Sequence, residues 1–230
     1  MKTRWAVLLS FFLFPGMLYA QEDAARTLDS VVKAYTGLKD FTAAVNIHYD
    51  IEAMKAPDMK ATFYYKAPEQ MKVDAKGIFF LPREGAFFNP FMFKPEDFEI
   101  TPMERLTVDG RKAARIRLIS KKTRRIHQDY ILTIDTERHL IREMAISQFG
   151  GRVIRATIDY GRFEGFQLPT RIEILLDMPP AESNETRESG PFMQRGRRIT
   201  GKVEITYSDY KVNSGLSDEM FKETESGKLK

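Results

Sequence analysis

From Phe41 almost to the C-terminus the chain alternates apolar and polar residues with a period of two, and no other feature restricts its fold so tightly. Phe41, Ala43, Val45, Ile47, Tyr49 and Ile51 fall on one side of an extended backbone, with Thr42, Asn46, His48 and Asp50 on the other. The pattern recurs in Ala61/Phe63/Tyr65 and Met71/Val73/Ala75 around an Ala67-Pro68-Glu69 turn, then in Ala114/Ile116/Leu118 after the hairpin signal Asp109-Gly110. It continues through Tyr130/Leu132/Ile134, Leu140/Met144/Ile146, Ile154/Ala156/Ile158/Tyr160, Ile172/Ile174/Leu176 and Val203/Ile205/Tyr207, with turns at Thr136-Glu137-Arg138 and Gly150-Gly151. Short turns between neighbours predict an antiparallel meander with one buried and one wetted face. About ten or eleven such strands are too many to lie flat, so the sheet must curve strongly or partly close. The fold class expected is mainly β with some helix (α+β).

Ahead of the strands, Leu28, Val31, Val32 and Tyr35 repeat at helical spacing, Glu22 and Asp23 suit a helix N-terminus, and Gly37 supplies a stop. Residues 1–20 read as a secretory signal peptide. Lys2 and Arg4 precede an apolar run from Trp5 to Phe14, Pro15-Gly16 interrupts it, and Leu18-Tyr19-Ala20 provides cleavage chemistry before Gln21. The run is shorter than the ~18 apolar residues a spanning helix needs, and no later segment approaches that length, so no transmembrane span is expected. The chain has no cysteine, which excludes disulfides and the acylated cysteine of a bacterial lipoprotein. A periplasmic protein without a lipid anchor follows. Residues 21–230 are enough for one core and read as a single, monomeric domain. Losing Lys2 and Arg4 lowers the formal net charge from +4 to +2, a near balance that does not suggest nucleic acid as partner.

Two segments lack the alternation. Gly77 to Phe98 carries Phe79, Phe80, Phe87, Phe88, Phe91, Phe93 and Phe98 among Pro82, Pro90 and Pro95, too many aromatic rings for a solvated loop, and must fold over apolar surface. Pro179 to Arg198 is polar and reads as a mobile hairpin loop. The apolar strand faces and the loop phenylalanines exceed what one short helix covers. Each Å² left wet costs on the order of 25 cal/mol, so either the lid closes into a dry core or a ligand fills the space. Sequence leaves both open.

Catalytic signatures are not found. There is no Gly-x-Ser-x-Gly, no thiol and no phosphate loop; His48, His127 and His139 read as polar-side residues without metal spacing. No enzyme, cofactor or metal is expected. The basic run Arg111, Lys112, Arg115, Arg117, Lys121, Lys122, Arg124, Arg125 places Arg111, Arg115 and Arg117 on the wet face, as a solvated surface or as a docking patch.

The order of features, with Tyr35-Thr36-Gly37-Leu38-Lys39-Asp40-Phe41, then Phe63-Tyr64-Tyr65-Lys66-Ala67-Pro68-Glu69-Gln70-Met71-Lys72-Val73, and a tail Tyr207-Ser208-Asp209-Tyr210 through Met220-Phe221, resembles the LolA superfamily of periplasmic lipoprotein carriers, as a divergent member. The resemblance implies an open half-barrel whose concave face, covered by the N-terminal helix and loops, holds acyl chains of a lipid or lipoprotein. The residues expected to line it are Val45, Ile47, Phe63, Tyr65, Met71, Val73, Phe79, Phe87, Phe88, Phe91 and Phe93. Lys66, Arg115 and Arg117 are expected to dock an envelope protein that donates or accepts the cargo. The alternative is an envelope sensor or interaction module that uses the same fold to recognise a lipoprotein or a protein partner.

Overall fold

The structure is a computed structural model; it describes residues 15–52, 57–75, 88–121, 129–148, 152–178 and 198–222. One helix, α1 (Pro15–Lys33), precedes ten strands: β1 (Asp40–Ile51), β2 (Met59–Lys66), β3 (Gln70–Ala75), β4 (Phe98–Val108), β5 (Arg111–Ser120), β6 (Asp129–Asp135), β7 (Leu140–Gln148), β8 (Arg152–Phe163), β9 (Phe166–Met178) and β10 (Ile199–Val212). They form one antiparallel sheet in the order β3-β2-β1-β10-β9-β8-β7-β6-β5-β4. The sheet is open. Its two edges, β3 and β4, are not paired with each other.

The expected alternation is realised almost residue for residue. Along β1, Phe41, Ala43, Val45, Ile47, Tyr49 and Ile51 are buried while His48 and Asp50 are exposed. Inner positions of all central strands join Leu28 and Val31 of α1, and Tyr35 just after it, in one core cluster. Tight turns follow turn chemistry. Asp109-Gly110 and Glu164-Gly165 both have positive φ, at 48° and 75° and at 47° and 93°, as two-residue turns matching the strand twist require. Between β6 and β7, Asp135 Oδ1 accepts the amides of Glu137 and Arg138, each at 2.9 Å.

Three expectations need correction. The helix begins at Pro15, so Glu22 and Asp23 lie well inside it, pairing with Arg26 at 3.0 Å and with Arg105 rather than sitting in the first turn. His139 is a turn residue at φ 58°, not a polar-side strand residue. Phe98 opens β4, a strand whose pattern is broken by Pro102 and by a bulge between Pro102 and Glu104. Proline lacks the donor a central ladder needs and is tolerated here because β4 is an edge. Gly150-Gly151, His127 and most of the 179–198 loop lie outside the described residues.

The first and last strands of the sheet are neighbours in the middle of it, from Phe41 opposite Val212 to Ile51 opposite Gly201. At that last pair a Cβ on residue 201 would stand 2.5 Å from the Asp50 carbonyl oxygen and 2.6 Å from Ile51 Cα, both backbone atoms that cannot step aside. Gly201→Ala should therefore destabilise the fold by about 1–3 kcal/mol, read as a fall in Tm on the order of 2–10 °C by circular dichroism. An unchanged Tm would mean the two strands separate more easily than their register implies.

Candidate ligand-binding face

The concave face is built around aromatic rings contributed by β1, β2 and β10. Ala43 lies opposite Phe63 and Phe41 opposite Tyr65, so a small residue faces a large ring at one position and two rings meet at the next. Phe41 stacks on Tyr65 with centroids 5.1 Å apart and meets Phe63 edge-on at 5.7 Å; Phe63 meets Tyr207 edge-on at 6.3 Å. Val45, Ile47, Phe63 and Tyr65 are all buried. Val73 and Met71 oppose Phe63 and Tyr65 on β3, hence on the same face. Val73 is only half-buried and Met71 is 46% exposed, because β3 is the sheet's edge and the cover thins there.

Two elements form the cover. Helix α1 presents Ala24, Leu28 and Val31, packs against β4 and β5, and leads into Tyr35. The second element is a strap, residues 88–97, that belongs to the crossover between the two edges of the sheet. Phe88 sits between Tyr35 at 5.4 Å and Tyr160 at 6.0 Å, while Phe93 packs on Phe98 at 5.7 Å and Tyr130 at 5.2 Å. Both rings are buried and Phe91 is half-buried. Phe79 and Phe87 lie outside the described residues. The strap's hydrogen bonds are mostly local: Asn89 accepts from Met92 N at 3.2 Å through its carbonyl and from Phe91 N at 2.9 Å through Oδ1. Lys94 reaches Glu69 at 3.3 Å. Ring packing, not a sheet ladder, holds this segment down.

Buried tyrosines bring hydroxyls into the apolar layer, and their proton acceptors are backbone carbonyls. Tyr35 donates to Gln167 O at 2.8 Å, Tyr160 to Ile141 O at 2.8 Å and Tyr210 to Pro169 O at 2.7 Å. Burial raises the pKa of each of these phenols far above the ordinary value, so they remain neutral donors. Tyr207, equally buried, has no acceptor for its hydroxyl proton among the described residues.

Where α1 passes β4 the cover is incomplete. On one side a groove of about 440 Å³ is lined by Asp23, Ala24, Thr27, Pro102, Met103, Arg105 and Ile116. On the other, one of about 400 Å³ is lined by Gln21, Ala25, Phe98, Ile100 and Lys121. Small alanines on the helix and apolar floors on β4 make the space, with charged groups at the rim. Met103, at the bulge, is 50% exposed.

The expected docking cations are engaged within the molecule. Arg115 pairs with Glu104 and Glu143 and donates to Thr133 Oγ1; Arg117 pairs with Asp129. Lys66 bonds Leu216 O at 2.7 Å and Asp218 at 2.6 Å, tying down the tail. Among the described residues no cluster of His, Cys, Asp or Glu is arranged to hold a metal ion, and no helix is long and apolar enough to cross a membrane. Sequence reasoning placed the inner residues of β1 and β2 on this face but did not identify the grooves at β4, whose strand signal Pro102 obscures, or single out the hydroxyls of Tyr35, Tyr160, Tyr207 and Tyr210.

No family model matches the chain, and no curated protein is significantly similar to it. Solved structures are similar in fold. An outer membrane lipoprotein-sorting protein domain from Vibrio parahaemolyticus superposes with a TM-score of 0.60 at 9% identity, over 88% of this chain and 97% of that one. A LolA superfamily protein from Nitrosomonas europaea gives 0.57 at 14% identity over 87% and 97%. A DUF1329 family protein from Desulfovibrio piger gives 0.57 at 12% identity over 86% and 96%. The fold of this chain, an open ten-stranded antiparallel sheet with one N-terminal helix, is thus similar to that of the LolA-type lipoprotein-sorting structures.

Proposed function

We propose that the protein is a non-enzymatic periplasmic carrier that shields acyl chains of a lipid or lipoprotein against the concave face of its half-barrel. The observation that carries this reading is the unequal construction of the two faces. The concave side is continuous apolar surface under a cover that is thin at β3, grooved at β4 and held by ring packing. The opposite side is a cross-strand charge network, in which Arg171 bonds Glu173 and Glu204 at 2.6 Å each and Arg142 bonds Asp109 at 2.9 Å. Residues 1–20 act as the export signal in this reading, and their removal makes Gln21–Asp23 the start of the helix, at the mouth of both grooves. Residues 21–230 form the single domain, monomeric in solution. The carrier is favoured over a sensor that docks through Lys66, Arg115 and Arg117 because those cations are already satisfied internally.

An acyl chain can displace the strap at acceptable cost. Exposing Phe88 and Phe93 costs about 1.5–3 kcal/mol each, whereas burying a chain of ~14 methylenes returns ~0.8 kcal/mol per CH₂.

Native mass spectrometry of detergent-free protein should show a co-purifying mass in the lipid or lipopeptide range; an apo mass that binds no added acyl probe would refute the carrier. Substitution separates the faces. Phe63→Glu should unfold the protein or abolish displacement of a fluorescent fatty acid, because a carboxylate without partners would enter the core. Leu175→Glu, on the exposed face between Arg155 of β8 and Lys202 of β10, should keep full binding and stability within about 0.5 kcal/mol of wild type. Equal behaviour of the two variants would reverse the assignment of inside and outside.

Hydrogen exchange tests the moving part. Amides of residues 88–94 should exchange much faster than those of β1 and β10 in the apo protein and slow when an acyl ligand is bound. A strap as protected as the central strands without ligand would mark it as fixed core.

A further inference from the structure

The buried tyrosines set one residue apart. Tyr207 projects from β10, where it opposes Val45 of β1, into the centre of the concave face, with Phe63 edge-on to it and Tyr210 stacked at 6.3 Å. Its side-chain oxygen is fully enclosed and makes no hydrogen bond of ordinary geometry. The Phe88 backbone amide of the strap approaches the phenol oxygen. An N–H group can only donate, so the phenol's own proton has no acceptor. An unsatisfied buried donor is destabilising, and Tyr35, Tyr160 and Tyr210 avoid that cost with backbone carbonyls. Burial also pushes the Tyr207 phenol far above its ordinary range, so it stays protonated and able to donate.

We infer that Tyr207 is a polar anchor in the acyl-binding face, its hydroxyl donating to the carbonyl oxygen at the head of an acyl chain once the Phe88 strap lifts. The inference rests on the carrier reading and adds a chemical selection to it. A purely apolar face accepts any hydrocarbon, whereas a donor stranded in that face selects chains that carry a carbonyl at one end: esters, amides and fatty acids over alkyl ethers. Lifting the strap removes the Phe88 amide from the phenol oxygen and opens the side from which the carbonyl arrives. The same movement frees the apolar surface and exposes the donor, so the chain and its head are engaged together.

A matched pair of probes isolates the carbonyl. In a fluorescent fatty-acid displacement assay on the full chain, 1-palmitoylglycerol should bind roughly 3- to 10-fold more tightly than 1-O-hexadecylglycerol, which differs by replacing the ester with an ether. Tyr207→Phe removes one atom and should erase that ratio by weakening the ester alone, with apo Tm unchanged or raised because the orphaned hydroxyl is gone. The carbonyl stretch of the bound ester should lie at lower wavenumber in wild type than in the variant. Palmitate and a palmitoyl amide, run in parallel, distinguish a free carboxylate from a lipoprotein-type acyl amide as the preferred acceptor. If wild type binds ester and ether equally, or if Tyr207→Phe weakens both alike, the anchor is wrong while the carrier stands. If neither probe binds wild type, the carrier reading fails and the anchor with it.

Discussion

The pairing of β1 with β10 is the constraint from which the rest of the architecture follows. It joins the two ends of the described strands in the middle of the sheet and is sealed at one end by a compact polar knot. Asn213, itself at φ 52°, accepts the Lys39 amide at 2.7 Å through Oδ1, donates its own amide to Asp40 O at 2.7 Å, and reaches Gly37 O at 3.1 Å. The buried Asp40 carboxylate accepts from the Ser214 amide at 2.7 Å, the Ser214 hydroxyl at 3.1 Å and the Gly215 amide at 3.2 Å. Both oxygens of that carboxylate have a donor, which is how a buried polar group is tolerated. With β1 fixed centrally, β2 and β3 must grow towards one edge and the remaining strands towards the other. The segment between β3 and β4 links the two edges of the sheet, and in its described part Phe88 and Phe93 cover the concave face.

The cover therefore comes from connectivity rather than from a second sheet, and its strength is uneven for that reason. A sheet packed on this face would interlock along its whole length. A helix and a strap touch it along two lines. Between those lines and the edges lie the grooves beside α1 and the half-buried inner side chains of β3. On the convex side, alternating charges make cross-strand ion pairs, each worth little where water reaches it. Their larger role is to keep the exposed face polar and the edges unattractive to other strands, as Lys72 and Asp74 on β3 and the Pro102 bulge on β4 also do.

Much of this was legible in the sequence because a period of two admits one reading over a long run. Phe41 through Ile51, Phe63/Tyr65, Ile116/Leu118 and the inner residues of β6, β8, β9 and β10 lie on the predicted side, whereas in β7 a bulge puts Ile141 rather than Leu140 opposite Ile134, and Ala114 of β5 is only half-buried. What escaped is physically different in kind. β4 carries a proline and a bulge that interrupt its alternation, features an edge accepts and a pattern rule penalises. The helix start at Pro15 was hidden by an interruption that also suits a signal peptide. The pairing of β1 with β10 joins residues 150 to 171 positions apart, from Ile51 opposite Gly201 to Phe41 opposite Val212, and only the register reveals it. The inner-face residues expected from Val45 to Phe93 converge on one apolar face where they are described. Whether a given tyrosine finds an acceptor depends on carbonyls from distant strands, which no local pattern encodes.

The same side chains serve as core and as candidate site, and that overlap explains the distribution of polar atoms. A protein that kept this face permanently closed would gain from placing only hydrocarbon there. Here the phenols of Tyr35, Tyr160 and Tyr210 are satisfied by main-chain carbonyls of β7 and β9, which stay in place when a cover moves, because those carbonyls belong to strands flanked on both sides within the sheet. Tyr207 alone of this group lacks a carbonyl acceptor among the described residues, with the strap amide of Phe88 approaching its oxygen. Satisfaction by the sheet keeps the framework rigid through opening. In the proposed carrier, incomplete satisfaction beside the strap would make the closed state less stable at the point where opening begins, and so would reduce the free energy that an acyl chain has to supply.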